Sequence, residues 1–182
     1  MKKIVITFGL ISGAILAVLT AIHVPLTLSG RIDTDYGVVV GYASMVLAFL
    51  AVFFGIRAYR DNVGGGTITF GRAFKVGILI ALITCAIYVI SWEIVFWNFI
   101  PDFADKYAAL SLEKMRADGA TAEALATAER DMARFKELYA NPLINVAFTF
   151  LEVFPVGLIM TLVSAAILRR TTPPPAPAVA TA

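Results

Sequence analysis

Three ionisable residues, His23, Glu93 and Glu152, interrupt long apolar runs in which almost nothing else carries charge. A carboxylate inside such a run is costly unless it is protonated, paired or wetted, so it marks either a proton or ligand position or a structural hydrogen-bond network. Two of the three have polar company at helical spacing. Thr20, His23 and Thr27 fall at i, i+3 and i+7, and Asn145, Thr149 and Glu152 fall at i, i+4 and i+7, so each set occupies one helix face. Pro25 and Pro155 follow closely; a proline inside a helix frees the carbonyl four residues back (Ala21 and Leu151 here) and favours a kink. Catalysis has little to draw on. The chain has one histidine and one cysteine, with no H-E-x-x-H and no G-x-S-x-G pattern, so no catalytic residue is assigned. Cys85 has no partner for a disulfide or a metal site and reads as a small buried hydrophobe; no metal and no cofactor are expected.

The elements that must position these residues follow from composition. Hydrophobic residues make up 59% of the 182 and charged residues only 15%, against about 45–50% and about 25% in soluble domains. That balance excludes an ordinary soluble core and points to membrane spans. Crossing a bilayer core of about 30 Å takes roughly 20 apolar residues. Four runs satisfy this, at about 4–28, 38–56, 76–100 and 143–168. They are apolar all round, unlike an amphipathic soluble helix. The first is longer than a signal-peptide core, and no A-x-A-like site follows His23-Val24-Pro25-Leu26, so it is expected to remain as a helix. The fold class is therefore all-α: an integral membrane four-helix bundle, with a helical hairpin at about 101–142 between the third and fourth spans.

Orientation follows from the basic residues. Lys2 and Lys3 precede the first span, Arg57, Arg60, Arg72 and Lys75 flank the second loop against Asp61 alone, and Arg169 and Arg170 follow the fourth span. The first loop sets Arg31 against Asp33 and Asp35, and the third carries six basic and eight acidic residues. Both termini and the second loop are expected in the cytoplasm and the hairpin outside, in a cell (inner) membrane. The tail at 171–182 is Pro/Ala-rich and reads as disordered.

On this orientation the three ionisable residues share the outer half. Glu93 lies roughly 10 Å below its span end, Glu152 roughly 14 Å and His23 roughly 7 Å, at 1.5 Å per residue. One shared pocket of Thr20, His23, Glu93, Asn145, Thr149 and Glu152 is expected; the alternative leaves Glu93 on its own face with Trp97. Tyr88, Trp92 and Trp97 read as an interfacial aromatic belt.

Packing is read from small residues, because lipid gives helices no hydrophobic drive to associate. Gly9 and Gly13 begin a row at four-residue spacing in the first span, Gly37 and Gly41 open the second, and Gly157 lies in the fourth. In the hairpin, Thr121 caps a helix whose Leu125, Ala128, Met132, Phe135 and Tyr139 form an apolar stripe. The hairpin either packs on itself or on the membrane surface, or docks an extracytoplasmic partner or a second copy. The second loop is glycine-rich but lacks the Gly-Lys-Ser/Thr of a phosphate-binding loop. Arg57, Arg60, Arg72 and Lys75 are expected to contact lipid headgroups. The bilayer is thus the expected partner, and nucleic acid is not.

Phe53-Phe-Gly-Ile-Arg57 with Tyr59-Arg-Asp61, and then Gly66-Thr-Ile-Thr-Phe-Gly-Arg-Ala-Phe-Lys-Val-Gly77, resembles the bacterial membrane family catalogued as domain of unknown function 4199. Ser91-Trp-Glu93 and Glu152-Val-Phe-Pro-Val-Gly157 carry the same resemblance, which covers Lys2 to about Arg170. It implies a four-span bacterial membrane protein and supplies no catalytic residue. The expected function is a non-enzymatic membrane component, such as a subunit, scaffold or envelope adaptor. The alternative is a small transporter or ion-coupled carrier using the outer-half pocket.

Overall fold

A computed structural model describes residues 1–172, so the tail reading at 171–182 lies outside the described residues beyond Thr172. The helices are α1 (Lys2–Leu28), α2 (Thr34–Asn62), α3 (Phe70–Asn98), α4 (Phe103–Ala117), α5 (Ala122–Tyr139) and α6 (Pro142–Leu168). Four of them, α1, α2, α3 and α6, are long and apolar enough to cross a membrane. Among the described residues the only β-type pairing is one isolated bridge.

Local chemistry sets the helix ends. The Asp33 carboxylate accepts from Asp35 N at 2.9 Å, Thr69 from Arg72 N at 3.4 Å, Thr121 from Ala124 N at 3.2 Å and Asn141 from Leu143 N at 3.0 Å. Each side chain satisfies an amide that a helix start leaves open. Gly30 and Gly119 take positive φ of 70° and 78°. At Gly119 the amides of Gly119 and Ala120 bond to Arg116 O at 3.1 Å and Met115 O at 2.9 Å, a Schellman ending of α4. Two spans extend further into loop sequence than hydropathy indicates: α2 begins at Thr34, not near 38, and α3 at Phe70, not near 76. Caps start helices, whereas apolarity marks only the stretch within the hydrocarbon layer. Both α1 and α6 continue unbroken through their prolines.

In the bundle, α1 and α6 each pack on α2 and α3, while α2 and α3 also meet across the middle. The core is fully buried Phe49, Val52, Ile56, Val76, Ile80 and Val153, with Ala48, Ala73, Ala81 and Ala165 filling the narrow gaps. Glycines set the closest approaches. A Cβ on Gly9 would stand 2.7 Å from Ile83, one on Gly13 2.6 Å from Ile87, and one on Gly157 2.8 Å from the Phe49 ring. The Gly9/Gly13 row thus faces α3 of the same chain. The outer surface of the bundle is apolar, with Ile6, Leu10, Ile22, Leu47, Ile94, Leu151 and Ile159 all exposed. A periphery of this kind suits lipid better than water, since soluble monomers rarely expose contiguous apolar area beyond a few hundred Å².

At the opposite end from the hairpin, the second loop is held to the end of α6. Ile68 N donates to Arg170 O at 2.8 Å and Arg170 N to Ile68 O at 2.9 Å. Arg60 and Arg57 pair with Asp61 at 2.7 and 3.7 Å. Arg72 and Lys75 are exposed and form no ion pair with any described residue.

Candidate functional site

The hairpin lies over one end of the bundle. Lys114 on α4 pairs with Asp33 at 3.3 Å and with Asp35, both at the start of α2. Within the hairpin, Lys136 pairs with Asp105 and Arg116 with Glu129 at 3.1 Å. The least exposed residues of α5 are Leu125, Ala128, Met132, Phe135, Lys136 and Tyr139, which is the apolar stripe with one lysine added. Phe135 and Tyr139 continue into an aromatic cluster with Trp92, Phe96 and Phe103. Trp92 and Phe103 meet edge to face at 4.9 Å, and Phe135 and Tyr139 are stacked at 4.9 Å. Trp92 Nε1 donates to Tyr139 Oη at 2.8 Å, which ties α3 to the last residue of α5.

Beneath this roof is a cavity of about 430 Å³ lined by all six helices, within the roughly 300–1,000 Å³ of small-molecule sites. Thr20 and His23 of α1 and Thr149 and Glu152 of α6 line it together. Thr20 and Thr149 are buried, His23 is half-buried and Glu152 is exposed. His23 Nδ1 lies 3.3 Å from Leu19 O; a carbonyl can only accept, so in the neutral ring this contact puts the proton on Nδ1 and leaves Nε2 as an acceptor. Glu152 takes no hydrogen bond or ion pair from any described residue. Among the described residues no lysine or arginine lines the cavity.

Asn145 stands behind this wall. It is fully buried, donates to Tyr139 O at 3.4 Å and accepts from Thr149 Oγ1 at 3.3 Å. It joins the end of the hairpin to α6 and orients Thr149 without lining the cavity. Gly37 and Gly41, read as packing residues, do line it. A Cβ on Gly37 would press on Thr27 at 2.8 Å, and one on Gly41 would lie 3.6 Å from His23 Nε2. Gly37 thus marks a close helix approach, whereas the space over Gly41 belongs to the cavity.

The expectation that Glu93 joins Glu152 and His23 is corrected. Glu93 does not line the cavity; its Oε2 accepts from Trp97 Nε1 at 2.8 Å on its own helix. The reason is angular. Trp92 turns inward to Tyr139, so the next residue turns about 100° away, onto the side of exposed Ile90, Ile94 and Trp97. Its other oxygen, Oε1, is buried and has no hydrogen-bond partner among the described residues. The aromatic belt is corrected as well: Tyr88 and Trp92 are 6% and 5% exposed and line the cavity, and only Trp97 faces outward.

The roof and walls contain residues that the sequence did not single out for a site. Tyr42, Phe103, Tyr107 and Phe148 join Tyr88, Trp92, Phe135 and Tyr139 around the cavity. A readable signal was the i, i+4 repetition of aromatics in Tyr88/Trp92, Phe103/Tyr107 and Phe135/Tyr139, which puts each pair on one face.

Fold and site together define a class: a bundle of four membrane-length helices, closed at one end by a helical hairpin over an aromatic cavity. Residues 7–170 match the family described as protein of unknown function, DUF4199, and the chain belongs to that family. The chain matches no curated protein and no solved structure.

Proposed function

We propose that this chain is a non-enzymatic integral membrane protein whose work is to hold a small molecule in the cavity beneath the hairpin. The observation that carries the reading is the convergence of all six helices on one space lined by Thr20, His23, Thr149, Glu152 and eight aromatic rings. A bundle serving only as a scaffold gains nothing from leaving such a volume open, since cavities forfeit packing energy. In the proposed setting the bilayer is that of the cell membrane, with both termini and the second loop cytoplasmic and the hairpin outside. The cavity then opens in the outer half. The carrier alternative built on two membrane carboxylates loses the support of Glu93, which leaves binding as the better reading. A second copy or an extracytoplasmic protein meeting segment 101–142 would read out occupancy through the roof helices α4 and α5.

The test is native mass spectrometry of the full chain released from its own membrane. One small-molecule adduct per chain is expected, and it should be lost in Gly41→Leu, whose side chain enters the cavity beside His23. No adduct, or an adduct retained equally by Gly41→Leu, contradicts the proposal.

A further inference from the structure

The cavity has an uneven chemistry. Among the described residues Glu152 is the one carboxylate in its lining, and none of the lining residues is a lysine or arginine. Lys114 and Lys136 of the hairpin are engaged elsewhere, Lys114 with Asp33 and Asp35 and Lys136 with Asp105. Eight aromatic residues line the same cavity as Glu152, among them Tyr88, Trp92 and Tyr139, each less than a tenth exposed. Aromatic faces attract cations through their quadrupole, and enclosing rings are how proteins take up quaternary ammonium groups. Glu152 is exposed where it lines the cavity and takes no ion pair from any described residue, so a cation entering between it and the rings meets an unpaired carboxylate.

From this juxtaposition we infer that the cavity binds an organic ammonium cation, with its charge on Glu152 and its methyl or methylene groups against the aromatic rings. The inference rests on the small-molecule reading given above and names the chemical class of the ligand. Other features fit a cation better than an anion. His23, with Nδ1–H engaged by Leu19, offers Nε2 as an acceptor, and Thr20 and Thr149 offer hydroxyl oxygens. Among the described lining residues an anionic ligand would find one carboxylate and no lysine or arginine to pair with. The ammonium could arrive as a free solute or as the headgroup of a lipid; the recognition chemistry is the same.

The chain contains its own reporter. Of its two tryptophans, Trp92 lines the cavity and Trp97 does not. In a Trp97→Phe background, in maltoside detergent free of ammonium groups, Trp92 emission is titrated with benzyltrimethylammonium and with its uncharged carbon isostere, neopentylbenzene. The expected result is a saturable change with the cation, about tenfold or more weaker with the isostere and in Glu152→Gln. Equal binding of cation and isostere overturns the cation assignment and leaves the small-molecule reading intact. That comparison needs no substitution at Glu152, so it decides even if Glu152→Gln fails to fold. No saturable response to either compound, together with no native adduct, overturns both. Repeating the titration with choline-headgroup lipid added separates the sources. Competition assigns the cation to a lipid, and its absence assigns it to a solute, each in support of the inference.

Discussion

The Trp92–Tyr139 hydrogen bond shows how one side chain can decide the face of a whole helix. It joins α3 to the hairpin, turns Trp92 inward and thereby turns Glu93 away from the cavity. Burial pushes the Tyr139 phenol up to about 12 from its ordinary value of about 10, with Glu152 and Glu93 adding to the rise and hydrogen bonds to Thr149 and Trp92 opposing it. The sign of the linkage follows. Above pH 10 an unfolded chain releases this proton while the folded chain keeps it, so stability present below pH 10 is lost as pH rises towards 12. Tyr139→Phe should leave the buried indole N–H without a partner, cost about 1–3 kcal/mol near neutral pH, and flatten the fall between pH 10 and 12. Thermal melting of the solubilised protein against pH checks both effects; an unchanged melting curve would show that the bond contributes nothing. At this scale the sequence was half informative. Helical spacing together with depth brought Thr20, His23, Thr149 and Glu152 to one place, because those four share two inward faces. Depth alone could not give the azimuth of Glu93, which depends on what Trp92 contacts 47 residues away.

Among the helices, close packing is concentrated where glycine admits a branched side chain. The Gly9/Gly13 row receives Ile83 and Ile87, so Gly13→Leu should lower stability by about 1–3 kcal/mol through overpacking. The measurement is melting in detergent beside crosslinking. Melting is expected to fall while crosslinking between chains stays unchanged, since this row packs within the chain. The four spans were legible in hydropathy alone, because lipid demands uninterrupted apolar length. Their starts were less so, since caps at Asp33 and Thr69 begin α2 and α3 before the apolar stretch does. In α5 the stripe from Leu125 to Tyr139 marked the inward face correctly. What it covers was not visible in the sequence, because the aromatic roof forms only when α4, α5 and α3 are brought together.

For the whole molecule, two ties put the loops into two groups. Lys114 holds the hairpin to the start of α2 at one end, and the Ile68–Arg170 bridge holds the second loop to the end of α6 at the other. The charge pattern gives each group an expected side: basic residues flank the second loop, and the hairpin has an acidic excess. If the cavity under the hairpin faces outward, its ligand comes from outside the cell or from the outer leaflet, so the functional account depends on this assignment. The most direct test uses the single native thiol to advantage. Cys85 is buried; in a Cys85→Ala background, Gly65→Cys and Gly119→Cys place new thiols in the second loop and the hairpin turn. A membrane-impermeant maleimide applied to intact cells should label the thiol at 119 and reach the one at 65 only after the membrane is opened. Labelling at 65 in intact cells, or none at 119, would contradict the outward-facing cavity and the four-span topology it rests on.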